Sequence, residues 1–248
     1  MPPLSSLLLL AAASVWAGAQ NALAGGGSFV TFPALLATGL DPRAANVTST
    51  IALVPGQLIS GWAGRGMAAG LPGLSFRALV SISLAGGIVG ALILLATPAD
   101  VFARMVPWLV LLATGLFAWG SFRRKPSAGA RPLPAHWVGA IQFVIAVYGG
   151  YFGGGMGFVM MAALTMAGHA TRAAGATKNV LAGLINLAAV GVFLFAPDVG
   201  WVQVAVTAVF AAAGGVLGTW MLARVNERLL RGCVVVIGLL LTVGLFLR

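Results

Sequence analysis

Gly149-Gly150-Tyr151-Phe152-Gly153-Gly154-Gly155-Met156-Gly157 is the stretch on which the fold turns. It sits inside an apolar run, Trp137–Gly168, that is too long for one membrane crossing. Glycine weakens a helix interior by about 1 kcal/mol relative to alanine, so three in a row break the helix. A second apolar run, Leu4–Leu40, is broken in the same way by Gly25-Gly26-Gly27. The piece after each break is about 12 residues, roughly 18 Å of helix. That falls short of the ~30 Å hydrocarbon core of a bilayer. Each run therefore reads as a helical hairpin, spanning or re-entrant, with its glycine tip inside the membrane.

Composition places the chain in lipid. Of 248 residues, 60% are hydrophobic and 7% charged, with a mean hydropathy of +1.03. Soluble domains carry about 25% charged residues. Six further apolar runs predict crossings at 47–64, 79–97, 106–122, 176–196, 201–222 and 232–247. The stretch Leu4–Ala24 ends in Ala22-Leu23-Ala24, a pattern like a signal-peptidase site. No Lys or Arg precedes it, and the repeat described next uses these residues, so it is expected to be retained.

The chain matches itself at an offset of 128 to 129. Gly25–Gly27 pairs with Gly153–Gly155, and Arg43-Ala44-Ala45 with Thr48 pairs with Arg172-Ala173-Ala174 with Thr177. Ala85–Gly90 pairs with Ala213–Gly218, and Gly115-Leu116-Phe117 with Gly244-Leu245-Phe246. The predicted fold is an all-α polytopic membrane protein of two inverted repeats, each a glycine-broken helical hairpin plus three transmembrane helices. The first repeat is 1–122 (hairpin 4–40) and the second 136–248 (hairpin 137–168), joined by a basic linker at 123–135. Three crossings after each hairpin make the second unit enter from the opposite face. Inverted repeats with broken helices point to a secondary-transporter site near the bilayer midplane.

The net charge of +10 sits between apolar runs rather than in a patch with aromatics, which excludes nucleic acid as a partner. If the linker is cytoplasmic, its Arg123, Arg124, Lys125 and Arg131 share that side with Arg65, Arg77, Arg172, Lys178, Arg224, Arg228 and Arg231. Eleven of the 14 basic residues are then inside, the bias expected of cytoplasmic loops. Both termini are predicted outside. Trp108, Trp137 and Trp201 fall near span ends and read as interfacial anchors.

Each glycine tip starts a short helix, and a helix N-terminus carries about half a positive charge and unpaired N–H donors that attract anions. The candidate substrate-binding residues are Gly25, Gly26, Gly27 and Ser28 at the first tip and Gly153, Gly154 and Gly155 at the second. Asn21 lies just before the first tip. Gln57 and Asn186, related by the same offset of 129, offer amides to an oxyanion from within the crossings. Thr48, Thr177 and Lys178 lie near the starts of the equivalent crossings, where Lys178 would attract an anion from the cytoplasm. No Asp or Glu falls inside a predicted crossing, which argues against a cation pathway. Gly86 and Gly90, with Gly214 and Gly218, read as helix-packing positions.

These residues resemble the sulfite exporter TauE/SafE family, also called the toluene-sulfonate uptake permease family. The likeness rests on Ala24-Gly25-Gly26-Gly27-Ser28-Phe29 with Pro33, and on Gly39-Leu40-Asp41-Pro42-Arg43-Ala44-Ala45 with Thr48-Ser49. It continues through Gly149–Gly157 and Ala176-Thr177-Lys178-Asn179. The resemblance covers essentially the whole chain. It implies a transporter of sulfite, organosulfonate or a related small anion in the bacterial plasma (inner) membrane. The approach to the first tip departs from the family pattern, with Gln20 and Asn21 in place of an apolar, glycine-rich stretch.

Enzyme chemistry finds no support: there are no paired carboxylates, no Ser-His-Asp set and no His-Cys cluster. His136 and His169 stand apart, so neither a metal nor a cofactor is expected. The expected partners are a small anionic substrate and the lipid bilayer, with a homodimer left open. A passive anion channel and a non-transporting membrane scaffold remain alternatives.

Overall fold

The computed structural model describes residues 2–23, 26–122, 134–221 and 227–247. Within them the chain forms ten α-helices, a short 3-10 turn at Arg65–Met67 and no strand. The helices are α1 (Leu4–Leu23), α2 (Ser28–Ala37), α3 (Pro42–Gly64), α4 (Phe76–Ala96) and α5 (Ala99–Phe122). They continue as α6 (Ala135–Tyr151), α7 (Met156–Met166), α8 (Thr171–Phe193), α9 (Trp201–Met221) and α10 (Glu227–Phe246). The basic residues of the linker and the 222–226 segment lie outside the described residues.

Capping explains why several helices start earlier than their apolar runs. Asp41 accepts from the backbone N–H groups of Arg43 and Ala44, with Pro42 in the first turn, so α3 begins five residues before Val47. The Ser75 hydroxyl caps α4 through the N–H of Ala78. Helix α5 begins at Ala99, which puts Trp108 nine residues in, about 14 Å from its start. Trp108 thus lies nearer the middle of α5 than its end, and its ring meets Phe246 edge-on at 5.0 Å between centroids. The anchor reading of that residue is corrected accordingly.

Three described helices are long and apolar enough to cross a membrane by length and composition: Phe76–Ala96, Ala99–Trp119 and Arg172–Phe193. Trp201–Leu217 and Val235–Phe246 are shorter apolar helices, as are α2 and α7. Helix α3 has the length, at 23 residues, but carries Asn46, Thr48, Ser49, Thr50, Gln57 and Ser60. Large apolar side chains face outward around the bundle, among them Leu92, Val209, Val236 and Leu240, each half exposed or more. Such a surface needs lipid rather than water against it.

Helix α1 packs on α9, and α6 on α4; α3 crosses α8, and α5 lies against α10. Likewise α3 touches α9 as α8 touches α4, and α2 meets α10 as α7 meets α5. Exchanging each helix with the one five places along returns these same pairs, although the contact of α3 with α5 has no comparable counterpart between α8 and α10 among the described residues. Small residues allow these approaches. A Cβ on Gly90 would strike the Val147 carbonyl of α6, and one on Gly214 the Val15 carbonyl of α1. Gly86 likewise lies against the Phe143 carbonyl. Packing is therefore the role of these glycines.

Candidate functional site

The first tip is held from behind by side chains of α1. Gly26 is left-handed, at φ +81°. Its carbonyl accepts from Gln20 Nε2 at 2.9 Å, and Gln20 Oε1 accepts from the Trp16 indole at 3.1 Å. The N–H of Gly27, which caps α2, donates to Asn21 Oδ1 at 3.3 Å. Gln20 and Asn21, the departure from the family pattern, thus brace the turn that starts α2. Gly25 lies outside the described residues.

The second tip uses two left-handed glycines, Gly153 at φ +79° and Gly155 at φ +75°, the latter capping α7. The Tyr148 hydroxyl donates to the Gly154 carbonyl at 2.6 Å. Asn46 Nδ2 donates to the Tyr151 carbonyl at 3.0 Å, which ties α3 to the end of α6. Neither the Gly155 nor the Gly157 N–H has an acceptor among the described residues, so both remain available as donors.

The two tips meet. Gly26, Ser28 and Asn21 from the first half line the same cavity, of about 80 Å3, as Gly153 and Gly155 from the second. Gln57 and Ser60 of α3 and Lys178 and Asn179 of α8 complete its polar wall, and no carboxylate lines it among the described residues. Phe117 of α5 wedges between the tips. Its ring meets Phe29 at 6.0 Å and Phe158 at 4.1 Å, both edge-on. Those two phenylalanines are themselves separated by the repeat offset.

The remaining sequence candidates divide. Asn186 is buried and donates one of its two Nδ2 hydrogens to Gln57 Oε1. Only Gln57 of that pair lines the cavity, and Asn186 supports it from behind. Gly154 faces a neighbouring, much smaller space together with Ser28. Thr48 and Thr177 are fully buried and do not line the cavity. Thr48 Oγ1 accepts from the N–H of Gly200 at 3.1 Å. Thr177 Oγ1 accepts from the N–H of Ala69, also at 3.1 Å. Each hydroxyl therefore pins the loop after the partner crossing. Ser60 escaped the sequence reading, although it follows Gln57 by three residues and so shares its helix face. Arg43 is drawn to Asp198 at 2.9 Å and to the Thr97 carbonyl at 3.2 Å, away from the cavity.

A protein-family model described as "Sulfite exporter TauE/SafE" matches residues 10–245. A probable membrane transporter protein ORF9 from Sinorhizobium sp. is 32% identical over 206 residues, covering 79% of this chain and 75% of that protein. A probable membrane transporter protein of Haemophilus influenzae is 30% identical over 230 residues, with coverage of 90% and 87%. The probable membrane transporter protein YfcA of Escherichia coli K12 is 26% identical over 247 residues, with coverage of 92% and 85%. No solved structure gives a match. With the family model spanning nearly the full length, this multi-pass membrane protein belongs to the sulfite exporter TauE/SafE family of transporters.

Proposed function

We propose that this transporter carries a small anion, a sulfur oxyanion such as sulfite or an organosulfonate, by alternating access around a site between its two glycine tips. One observation carries the reading: both broken hairpins contribute left-handed glycines to a single cavity that also holds Lys178 and no carboxylate. Helix N-termini and a lysine in a low-dielectric setting favour negative solutes. The sulfur chemistry rests on family membership. The self-paired helix contacts support two repeats of opposite orientation, the arrangement in which one half rocks against the other around a central site. The distribution of basic residues supports a bacterial inner-membrane protein with both termini outside.

Purified protein in proteoliposomes, supplied with radiolabelled sulfite or methanesulfonate, tests the proposal. Saturable uptake that depends on the anion is expected. Flux that never saturates would make the protein a channel, and cation movement without anion dependence would overturn the reading altogether.

A further inference from the structure

We propose that the anion is held off-centre, against Lys178 and the glycine tip of the second repeat. Its ligands are the Lys178 ammonium and the free N–H groups of Gly155 and Gly157, with the Gln57 amide closing the site. The matching position in the first repeat binds nothing. This rests on the anion-transport reading above and adds where in the site the charge lies.

The two halves differ where their offset makes them comparable. Lys178 corresponds to Ser49, Gly157 to Ser28 and Phe158 to Phe29. In the first repeat the Ser49 hydroxyl is buried and already shares a hydrogen with Thr31 at 2.7 Å. The space beside it is about 10 Å3, lined by Phe29, Phe32 and Phe152. That holds about one water at most. In the second repeat the equivalent side chain is a lysine with its stem against the first turn of α7. A methyl group on Gly157 would lie 3.5 Å from Lys178 Cδ and 4.0 Å from Nζ.

That placement is unfavourable for an empty site. An ammonium beside a helix N-terminus sets like charges together. Among the described side chains the ion pairs are Arg43–Asp198 and Arg104–Asp100, and neither carboxylate offsets Lys178. A charge within a membrane bundle is costly unless it is paired. An anion between Nζ and the Gly155 and Gly157 N–H groups relieves both conflicts at once. It converts the repulsion between lysine and helix end into two attractions for the same oxyanion. At the first tip Asn21 occupies the Gly27 N–H. The Ser28 N–H has no acceptor among the described residues, like that of Gly157, but the position equivalent to Lys178 is Ser49, so no cation stands beside it.

Binding of methanesulfonate and of sulfite to the detergent-purified protein, read by ligand-induced thermal shift and by calorimetry, tests this. Lys178→Met is expected to weaken binding at least tenfold, Lys178→Arg to stay within about threefold of wild type, and Ser49→Ala to leave affinity unchanged. Retained affinity in Lys178→Met overturns the proposal, as does an equal loss in Ser49→Ala. If Lys178→Met does not give a monodisperse protein, Lys178→Gln and the Ser49→Ala arm decide the question by the same criteria. A loss in the Arg variant equal to that of the Met variant would assign Lys178 a packing role and also overturn it. Wild-type protein that neither binds nor moves any anion would sink the transport reading instead, a separate outcome.

Discussion

Asn186 on α8 donates its amide hydrogen to Gln57 on α3, across an offset of 129 residues that makes each the other's counterpart in the repeat. Asn186 Oδ1 is buried and has no partner of its own, while Gln57 faces the cavity. Removing one partner of a buried hydrogen bond costs more than removing both. Gln57→Leu should therefore be less stable than Gln57→Leu/Asn186→Leu, by roughly 1 kcal/mol. Both variants should lose transport, because both lack the Gln57 amide. Unfolding in detergent micelles and uptake in proteoliposomes separate the two effects. Full transport by the double variant would remove Gln57 from the site.

The second tip depends on backbone shapes that only glycine adopts without strain. Gly155→Ala places a Cβ at φ +75° and 2.9 Å from the Ala113 carbonyl oxygen. A left-handed non-glycine residue costs about 1–2 kcal/mol, so the variant should unfold earlier and lose transport. Gly157→Ala is the contrast, since its Cβ would meet nothing closer than Lys178 Cδ at 3.5 Å. Its stability should match wild type. Thermal unfolding of both proteins checks the pair, and equal behaviour would mean the tip does not need its left-handed turn.

The breaks were legible because glycine acts locally: Gly25–Gly27 and Gly153–Gly155 interrupt helices by their own backbone freedom, whatever surrounds them. The helical class followed from apolar runs too long and too uncharged for anything else. Helix starts were less legible, because capping turns such as Asp41-Pro42 are polar and do not register as part of an apolar run. At the site, sequence could nominate polar residues inside crossings but not say where their hydrogen bonds go. Thr48 and Thr177 look as eligible as Lys178 on paper. Only the packing of α3 against α8 shows their hydroxyls bound to the backbone of Gly200 and Ala69. Gln20 shows the same limit: the sequence marks it as a departure from the family pattern, and its bond to the Gly26 carbonyl shows it to be a brace.

His169, in the connection between α7 and α8, gives the fold an acid-sensitive point. Burial lowers its pKa, opposed by a weaker effect from its hydrogen bond to the Ala69 backbone. Its Nε2 is buried without a partner. The folded state therefore prefers the neutral ring, while the unfolded chain takes up a proton near the ordinary value of about 6.5. Stability contributed by the neutral ring is full above that pH and is lost as pH falls below it. Wild-type protein should lose thermal stability between pH 7 and pH 5 more steeply than His169→Gln. Parallel slopes would acquit the histidine.

Helix packing and anion binding should come apart at Gly90. A Cβ there collides with the Val147 carbonyl of α6, a rigid backbone atom that cannot swing aside. Gly90→Ala must therefore push α4 from α6, with a stability loss of about 1–3 kcal/mol, the range for an overpacked contact. Gly90 does not line the cavity, so the folded fraction should bind methanesulfonate with wild-type affinity. Unfolding midpoints together with calorimetry on the monodisperse peak test this.

Sidedness follows from the charges and is open to direct labelling. Cys233 is the chain's one cysteine, so Cys233→Ser gives a clean background. A cysteine at Ala130 in the basic linker should react with an impermeant maleimide only after the inner membrane is opened. One at Asp198, in the α8–α9 connection, should react in intact spheroplasts. The two sites are separated by three helical runs: the α6–α7 hairpin, expected to return to its own side, and α8, long and apolar enough to cross. Opposite accessibility requires an odd number of crossings between them, which a returning hairpin followed by a spanning α8 supplies. Labelling of both from one side would mean that one of those statements is false, and with it the opposed orientation of the two halves.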